Sequence, residues 1–398
     1  MNNSSNTLFI SFYNNTAATQ ETMIIGFDAK RAFQNMTGLG NYSRMLICEL
    51  AKQHKDVDSV LYAPNMDGYY KTFFTGYANI STRQPHGFDK HLPRLWRSFG
   101  VSFHVSEDKI DIFHGLSHEL PMSLPKDVKK VVTMHDLIAW RHPEYFSKLD
   151  AKIHQKKQQI ACKEADVVIA ISEQTKRDLI EFIGVPEQKI RVLYQSCDPI
   201  FRAEITDEDR EEAKKNYDLP DRYIICVGTI EERKNQATVV AAMNLLPNDL
   251  HLVLVGGTHG NYRAKLFSEV KSEDLKRRIH IIDDADFDDF PALYANSLGA
   301  IYISHFEGFG IPILEAMSCG VPVLTSNCSS MPEVGGDAVL YATPDNVDEV
   351  ASQIKRMISD EALRQDLIAK SKIQIQKFDP KVTTQALYDL YTELMKEA

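Results

Sequence analysis

The sequence has few cysteines and fewer tryptophans, six and two in 398 residues. Cys48, Cys162, Cys197, Cys226, Cys319 and Cys328 are scattered, none within a C-x-x-C pair, and most lie in apolar stretches. That pattern excludes a disulfide framework, which a chain of this length does not need in order to bury a core. It predicts buried, reduced thiols and a cytoplasmic protein. A basic excess is also missing. Forty-five Lys and Arg stand against 55 Asp and Glu, a net charge of −10, so the footprint of a nucleic-acid-binding protein is absent and the acidity is read as solubility. No apolar run approaches the ~18 residues of a membrane-spanning helix. Residues 1–22 are rich in Asn, Ser and Thr and lack the basic start of a signal peptide. They are expected to be a disordered extension. G-x-x-x-x-G-K-[ST], H-E-x-x-H and G-x-S-x-G are all absent, which removes the P-loop, zincin and α/β-hydrolase chemistries.

What remains is an ordinary globular composition, 43% hydrophobic and 25% charged. Short, continuous apolar runs recur at 23–28, 57–63, 110–116, 130–135, 167–172 and 190–195. Such runs predict parallel strands buried on both faces. Helical patterns fall between them, at 40–53, 147–164 and 173–182. After a polar stretch the alternation restarts, with strands expected at 223–228, 251–256, 279–283, 300–304, 322–326 and 338–341 and a largely helical 347–378. The expected fold is α/β: two Rossmann-like, doubly wound domains facing each other across a cleft. The first spans 23–200 and the second 201–379, and 380–398 forms a final helix. Ligands of open α/β sheets bind beyond the carboxyl ends of the strands, so the residues just after each strand carry the most information.

Three clusters stand there, and a fourth, 37–43, lies well beyond the run that ends at Asp28. After the run 300–304 comes Glu307-Gly308-Phe309-Gly310-Ile311-Pro312-Ile313-Leu314-Glu315. Its two glycines permit unusual backbone angles and close approach. Pro312 suits the first turn of a helix, whose free N–H groups suit an anion or sugar hydroxyls. After the run 223–228 come Arg233 and Lys234, a donor fork and a point charge fit for a diphosphate or, without that context, for a solvated face. Thr37-Gly38-Leu39-Gly40-Asn41-Tyr42-Ser43 opens a long helix, but Ser43 stands where a dinucleotide fingerprint has its third glycine. His135-Asp136 closes a buried strand, either as a packed histidine with a local partner or as a group offering a hydrogen bond or a proton to a sugar. The acidic run at Asp283, Asp284, Asp286, Asp288 and Asp289 lacks calcium-loop spacing and is read as a solvated turn.

Together these residues resemble the retaining glycosyltransferases of family 4, also called glycosyl transferases group 1, which have the GT-B fold. The resemblance runs from about residue 23 to the C-terminus. The block 304–335 is similar to the family's E-x7-E motif, and 227–235 to its G-x-x-x-x-R-K-N segment. Ala170-Ile171-Ser172-Glu173 with Lys176-Arg177-Asp178 is similar to its VSxxSKxD stretch, with Thr175 for the second serine. The resemblance implies metal-independent transfer of a sugar, with retention, from a GDP- or UDP-sugar to a glycan or lipid-linked acceptor. It assigns Arg233 and Lys234 to the donor diphosphate and the departing nucleotide, and Glu315 to the ribose hydroxyls. Glu307 would lie near the transferred sugar, without serving as a nucleophile. The backbone of Gly308, Phe309, Gly310 and Ile311 would hold sugar and phosphate oxygens. Gly40, with Gly38, would let the first domain approach the diphosphate, His135 would contact the donor sugar, and the last helix would cross back onto the first domain.

The stretch 134–146 is most like bacterial mannosyltransferases that build surface polysaccharide, which makes GDP-mannose the expected donor. Two segments mix cations with apolar side chains: 91–99, and 147–163 with Lys148, Lys152, Lys156, Lys157 and Lys163. They are either solvated helix faces or a peripheral contact with the inner face of the cytoplasmic membrane. The competing readings are a nucleotide-sugar epimerase of the same fold and a nucleotide-binding Rossmann protein without transferase activity.

Overall fold

The computed structural model describes residues 22–258 and 262–396. Residues 1–21, on which the expected disordered extension falls, lie outside it.

The first domain holds β1 (Met23–Asp28), β2 (Val57–Tyr62), β3 (Ile80–Arg83), β4 (Ile112–Gly115), β5 (Lys129–Met134), β6 (Val167–Ala170) and β7 (Ile190–Val192). The second holds β8 (Tyr223–Val227), β9 (His251–Val255), β10 (Ile279–Ile282), β11 (Ala300–Tyr302), β12 (Val323–Ser326) and β13 (Leu340–Ala342). Their orders are β3-β2-β1-β4-β5-β6-β7 and β10-β9-β8-β11-β12-β13, and every pairing between these strands is parallel. In each sheet the order reverses beside the first strand, between β1 and β4 and between β8 and β11. These are the topological switch points where doubly wound folds open a ligand crevice.

The strand β3 has no counterpart among the expected runs. Ile80-Ser81-Thr82-Arg83 sits on the sheet edge with three of its four residues exposed, so it never needed the apolar run that betrays a central strand. The other strands are where they were expected, but several stop early. The ladder leaves His135, Ser172, Gly228 and Ser304 outside it, and these residues turn instead to line the crevice.

Both faces of each sheet are covered. The final helix, Pro380–Lys396, places Leu387, Leu390, Tyr391 and Leu394 in one core with Met23, Ile25, Ile47 and Leu50 of the first domain. Tyr391 is fully buried, and its hydroxyl meets Nδ1 of His114 at 2.6 Å, the partner a buried tyrosine requires. The chain therefore crosses between domains twice. The crossings are tied together where Ser196 donates to the carbonyl of Phe378 at 2.7 Å and Arg202 pairs with Asp379 at 2.7 Å.

Candidate active site

Arg233 and Lys234 lie in the single turn Glu232–Lys234, just beyond β8. Asn235 ends that turn with φ of +56°. Asparagine tolerates this left-handed conformation well, and its side chain is anchored by donating to the carbonyl of Pro344 at 2.8 Å. The turn aims both cations at Glu307, beyond β11. Arg233 reaches Glu307 Oε2 at 2.5 Å and Glu231 at 2.6 Å. Glu307 Oε1 accepts from Lys234 at 3.1 Å, from Tyr302 at 2.7 Å and from Ser304 at 3.0 Å. Lys234 also donates to the Tyr302 hydroxyl at 2.8 Å. An ammonium group carries more donors than these two bonds use, and a guanidinium more than the pairs above, so the cluster keeps donors for an incoming anion. Burial pushes the Glu307 carboxyl up, but Arg233 and then Lys234 outweigh it and hold the group at about 2. Glu307 is therefore ionised and shared among Arg233, Lys234, Tyr302 and Ser304.

Glu315 follows on the helix Ile311–Ser318, whose N-cap, Gly310, has φ of +114°. That angle is the reason for glycine there. Glu315 is 7% exposed and accepts from the Tyr294 hydroxyl at 3.1 Å. Burial raises its carboxyl to about 7, despite the opposing effects of Tyr294 and Lys234. The two glutamates of the motif are thus set far apart in acidity by their surroundings.

Gly308 is where the domains touch. A Cβ built on it would lie 1.8 Å from the carbonyl oxygen of His135 and 3.0 Å from Cβ of Asp136. The His135 imidazole itself is 5% exposed: Nε2 meets the carbonyl of Leu116 at 2.8 Å and Nδ1 meets the amide of Gln195 at 2.8 Å. Burial, with His118 nearby, lowers it to about 3. Both ring nitrogens are thus bonded within the first domain, and it is the main chain of His135 that meets Gly308.

Gly38 and Gly40 open the helix Gly38–Gln53. A Cβ on Gly40 would meet the carbonyl oxygen of Asn35 at 1.8 Å, whereas Gly38 has open space. The glycine at 40 is therefore required by a local turn, whose Asn35 Oδ1 accepts from the amides of Thr37 and Gly40 at 2.9 and 3.1 Å. The geometry brings Arg233, Lys234, Glu307, Tyr302 and Ser304 into one cluster. Gly308, Phe309, Gly310, Ile311 and Glu315 follow it in the adjoining loop and helix.

Tyr302, Ser304 and the serines at 329 and 330 were not singled out individually in the sequence. Tyr302 in an apolar run reads as core, and lone serines carry no spacing signal. Among the described residues, no group of three or more His, Cys, Asp or Glu side chains is arranged to hold a metal ion.

Comparison with known proteins places this geometry. Residues 207–374 match the family described as Glycosyl transferases group 1, and residues 36–200 match Glycosyltransferase Family 4. The O-antigen chain mannosyltransferase B of Escherichia coli is 28% identical over 367 residues, covering 88% of this chain and 95% of that protein. The O-antigen chain mannosyltransferase RfbU of Salmonella typhimurium is 24% identical over 332 residues, covering 81% and 87%. Among solved structures, Alr3699/HepE of Anabaena in complex with UDP and glucose superposes with a TM-score of 0.72 at 19% identity, covering 93% of this chain and 99% of that one. Two matched segments spanning both sheets, with the E-x7-E glutamates and the Arg-Lys pair at the facing strand ends, make the chain a member of the family 4 glycosyltransferases (glycosyl transferases group 1), enzymes of GT-B fold.

Proposed function

We propose that the protein transfers mannose from GDP-mannose to a growing glycan or lipid-linked glycan in surface polysaccharide synthesis, with retention at the anomeric carbon and without a metal ion. The observation that carries this reading is the Arg233–Lys234–Glu307 cluster at the carboxyl ends of β8 and β11, facing the loops of the first domain. The names of the two relatives above support mannose as the sugar and a polysaccharide as the product. Arg233 and Lys234 meet the charge that develops on the leaving diphosphate, the task other transferases give to a divalent cation. The departing phosphate then takes the acceptor proton on the same face of the sugar. The epimerase and the transferase-free readings are not favoured by these comparisons. A donor panel with GDP or UDP release as readout, repeated with EDTA, followed by NMR of the product's anomeric centre, tests the proposal. GDP release that resists EDTA, with an axial product linkage, is the expected result. Strict dependence on a divalent ion, or inversion, refutes it.

With Glu315 as the ribose partner, nucleotide affinity depends on pH. The carboxyl sits near 7 in the free protein, so it is largely protonated at pH 6 and ionised at pH 8. Affinity for GDP is expected to rise through this interval and then level off, by calorimetry. The effect on stability has the opposite sign. A carboxyl raised in the folded state above its unfolded value near 4.5 stabilises the fold below that value, and this stabilisation is lost as pH rises through 7. Glu315→Gln should therefore melt higher than the parent at pH 8 while binding GDP weakly at every pH. Flat affinity between pH 6 and 8 removes the assignment.

The acceptor end of the reaction favours a membrane surface. Leu95, Phe99 and Phe103 are 53, 53 and 66% exposed along the helical stretch 93–107. Met122 is held beside them by hydrogen bonds to Ser98 and Ser102. On the helix Lys148–Glu164, Leu149 and Ile153 are exposed among Lys148, Lys152, Lys156 and Lys157. Glu119 joins the two segments, pairing with Arg97 and with Lys157. Trp96 and Arg97 turn inward, Trp96 being 2% exposed and Arg97 pairing with Asp28, so the apolar side chains, not these two, form the outer face. Among the described residues no helix is long and apolar enough to cross a membrane. Sedimentation with anionic liposomes is expected at low salt and should fail with neutral ones; no binding at low salt removes this part of the proposal.

A further inference from the structure

Three consecutive carbonyls of the motif loop are seated on hydroxyl groups, and the hydroxyls come from both domains. The carbonyl of Glu307 accepts from Ser329 at 2.6 Å and from Ser330 at 2.9 Å. That of Phe309 accepts from Ser330 at 2.7 Å. Between them the carbonyl of Gly308 accepts from the opposite domain, from Ser172 at 2.7 Å, with Thr175 Oγ1 at 3.4 Å from it and 3.3 Å from the carbonyl of His135. Ser172 and Thr175 are 0 and 1% exposed. Ser172 is itself fixed as the N-cap of the helix Glu173–Asp178, accepting from the Thr175 amide at 3.0 Å. The helix that follows Ser330 answers from the other side: the Glu333 carboxylate accepts from the Glu173 amide at 2.8 and 3.1 Å.

In a trans peptide the N–H points opposite to the C=O. Seating the carbonyl of Gly308 therefore sets the direction of the Phe309 amide, and seating its neighbours sets the amides of Gly308 and Gly310. Two of the three peptide planes are fixed from within the second domain. The middle one is fixed by hydroxyls of the first domain, across the contact between the domains. Hydroxyl–carbonyl bonds gain little net over the bonds to water that replace them, so such a contact can be made and broken in each catalytic cycle where a packed apolar one would lock.

We infer that Ser172 and Thr175 are positioning residues for sugar transfer, which couple closure of the domains to the orientation of the Gly308–Phe309 peptide that faces the donor. The inference rests on the transferase reading above. It separates closure, read in kcat, from nucleotide binding, read in the affinity for GDP.

The test uses Ser172→Ala, Thr175→Val, the double variant and Thr175→Ser, in the full chain. Each removal of a hydroxyl is expected to lower kcat by about 10-fold and the pair by about 100-fold. Affinity for GDP, by calorimetry, should stay within about twofold of the parent, and Thr175→Ser should keep parental kcat. Small-angle scattering should show the double variant less compact than the parent under the same conditions, a reading independent of turnover. Parental kcat in the double variant overturns the inference. So does a parallel loss of GDP affinity shared by Thr175→Ser, since that pattern belongs to packing and not to a hydroxyl. A parent that binds neither GDP nor UDP and releases neither from any donor refutes the transferase reading itself, and the inference falls with it.

Discussion

Gly308→Ala is expected to cut kcat by about 100-fold while leaving the melting temperature and GDP affinity close to those of the parent. The reason is steric and lies between the domains. The added methyl would lie 1.8 Å from the main-chain oxygen of His135, with Cβ of Asp136 at 3.0 Å. These are backbone and near-backbone atoms of a buried strand end, which cannot swing aside as the tip of a long side chain can. The domains must part, and a displacement of the order of 1 Å at a reacting centre is enough to cost about two orders of magnitude. Each domain folds around its own sheet, so stability is little affected. The checks are steady-state kinetics with the preferred donor, a thermal melt and GDP calorimetry. Activity within threefold of the parent would show that turnover does not pass through the closed contact seen here. A fall in melting temperature of more than about 5 °C would show that the contact is part of the fold and not of the cycle.

The second large effect is expected at Arg233. Arg233→Ala should lower kcat by about a thousandfold and also destabilise the protein, by about 3–5 kcal/mol. Two different debts are involved. Activity falls because the guanidinium is positioned for charge on the departing diphosphate. Stability falls because Glu307, 8% exposed, loses the partner that holds it ionised. The two are separable by a second substitution. Arg233→Ala with Glu307→Gln should recover most of the stability, since an uncharged amide accepts from Tyr302 and Ser304 without needing a cation, but none of the activity. Equal recovery of both would mean that Arg233 acts only by neutralising Glu307.

The same pair predicts acid sensitivity. With its carboxyl held at about 2 in the folded protein against 4.5 unfolded, Glu307 contributes stability that is complete above 4.5 and lost as pH falls toward 2. In the double variant this part of the acid transition should disappear from a pH series of thermal melts.

What the sequence alone determined is the architecture and which charged residues stand at the strand ends of the second domain. Buried parallel strands must be continuous apolar runs, so all the central strands were legible, and only β3, polar and exposed at an edge, was not. The Arg-Lys pair and the two glutamates were legible because they stand beyond the carboxyl ends of buried strands, where doubly wound folds bind ligands, and because glycines and a proline fix the turn between the glutamates. What only the tertiary structure decided is which of these groups meet, and how. Glu307 and Glu315 are the same residue type eight positions apart, yet one is held near 2 by Arg233 and Lys234 and the other raised to about 7 by burial, a difference made by the cations that the turn after β8 brings to Glu307 and by the depth at which Glu315 lies. His135 was readable in the sequence either as a packed histidine or as a group for a sugar, and what the fold adds is that Gln195 and Leu116 close on its ring from elsewhere in the first domain. Ser172 and Thr175 were legible as a motif but not as a contact, since a serine acquires its role from the carbonyl it faces, and the carbonyl of Gly308 lies 136 residues from Ser172 along the chain. Contacts within an element follow from periodicity, whereas contacts between domains are set by how two finished surfaces fit, and no local pattern encodes that.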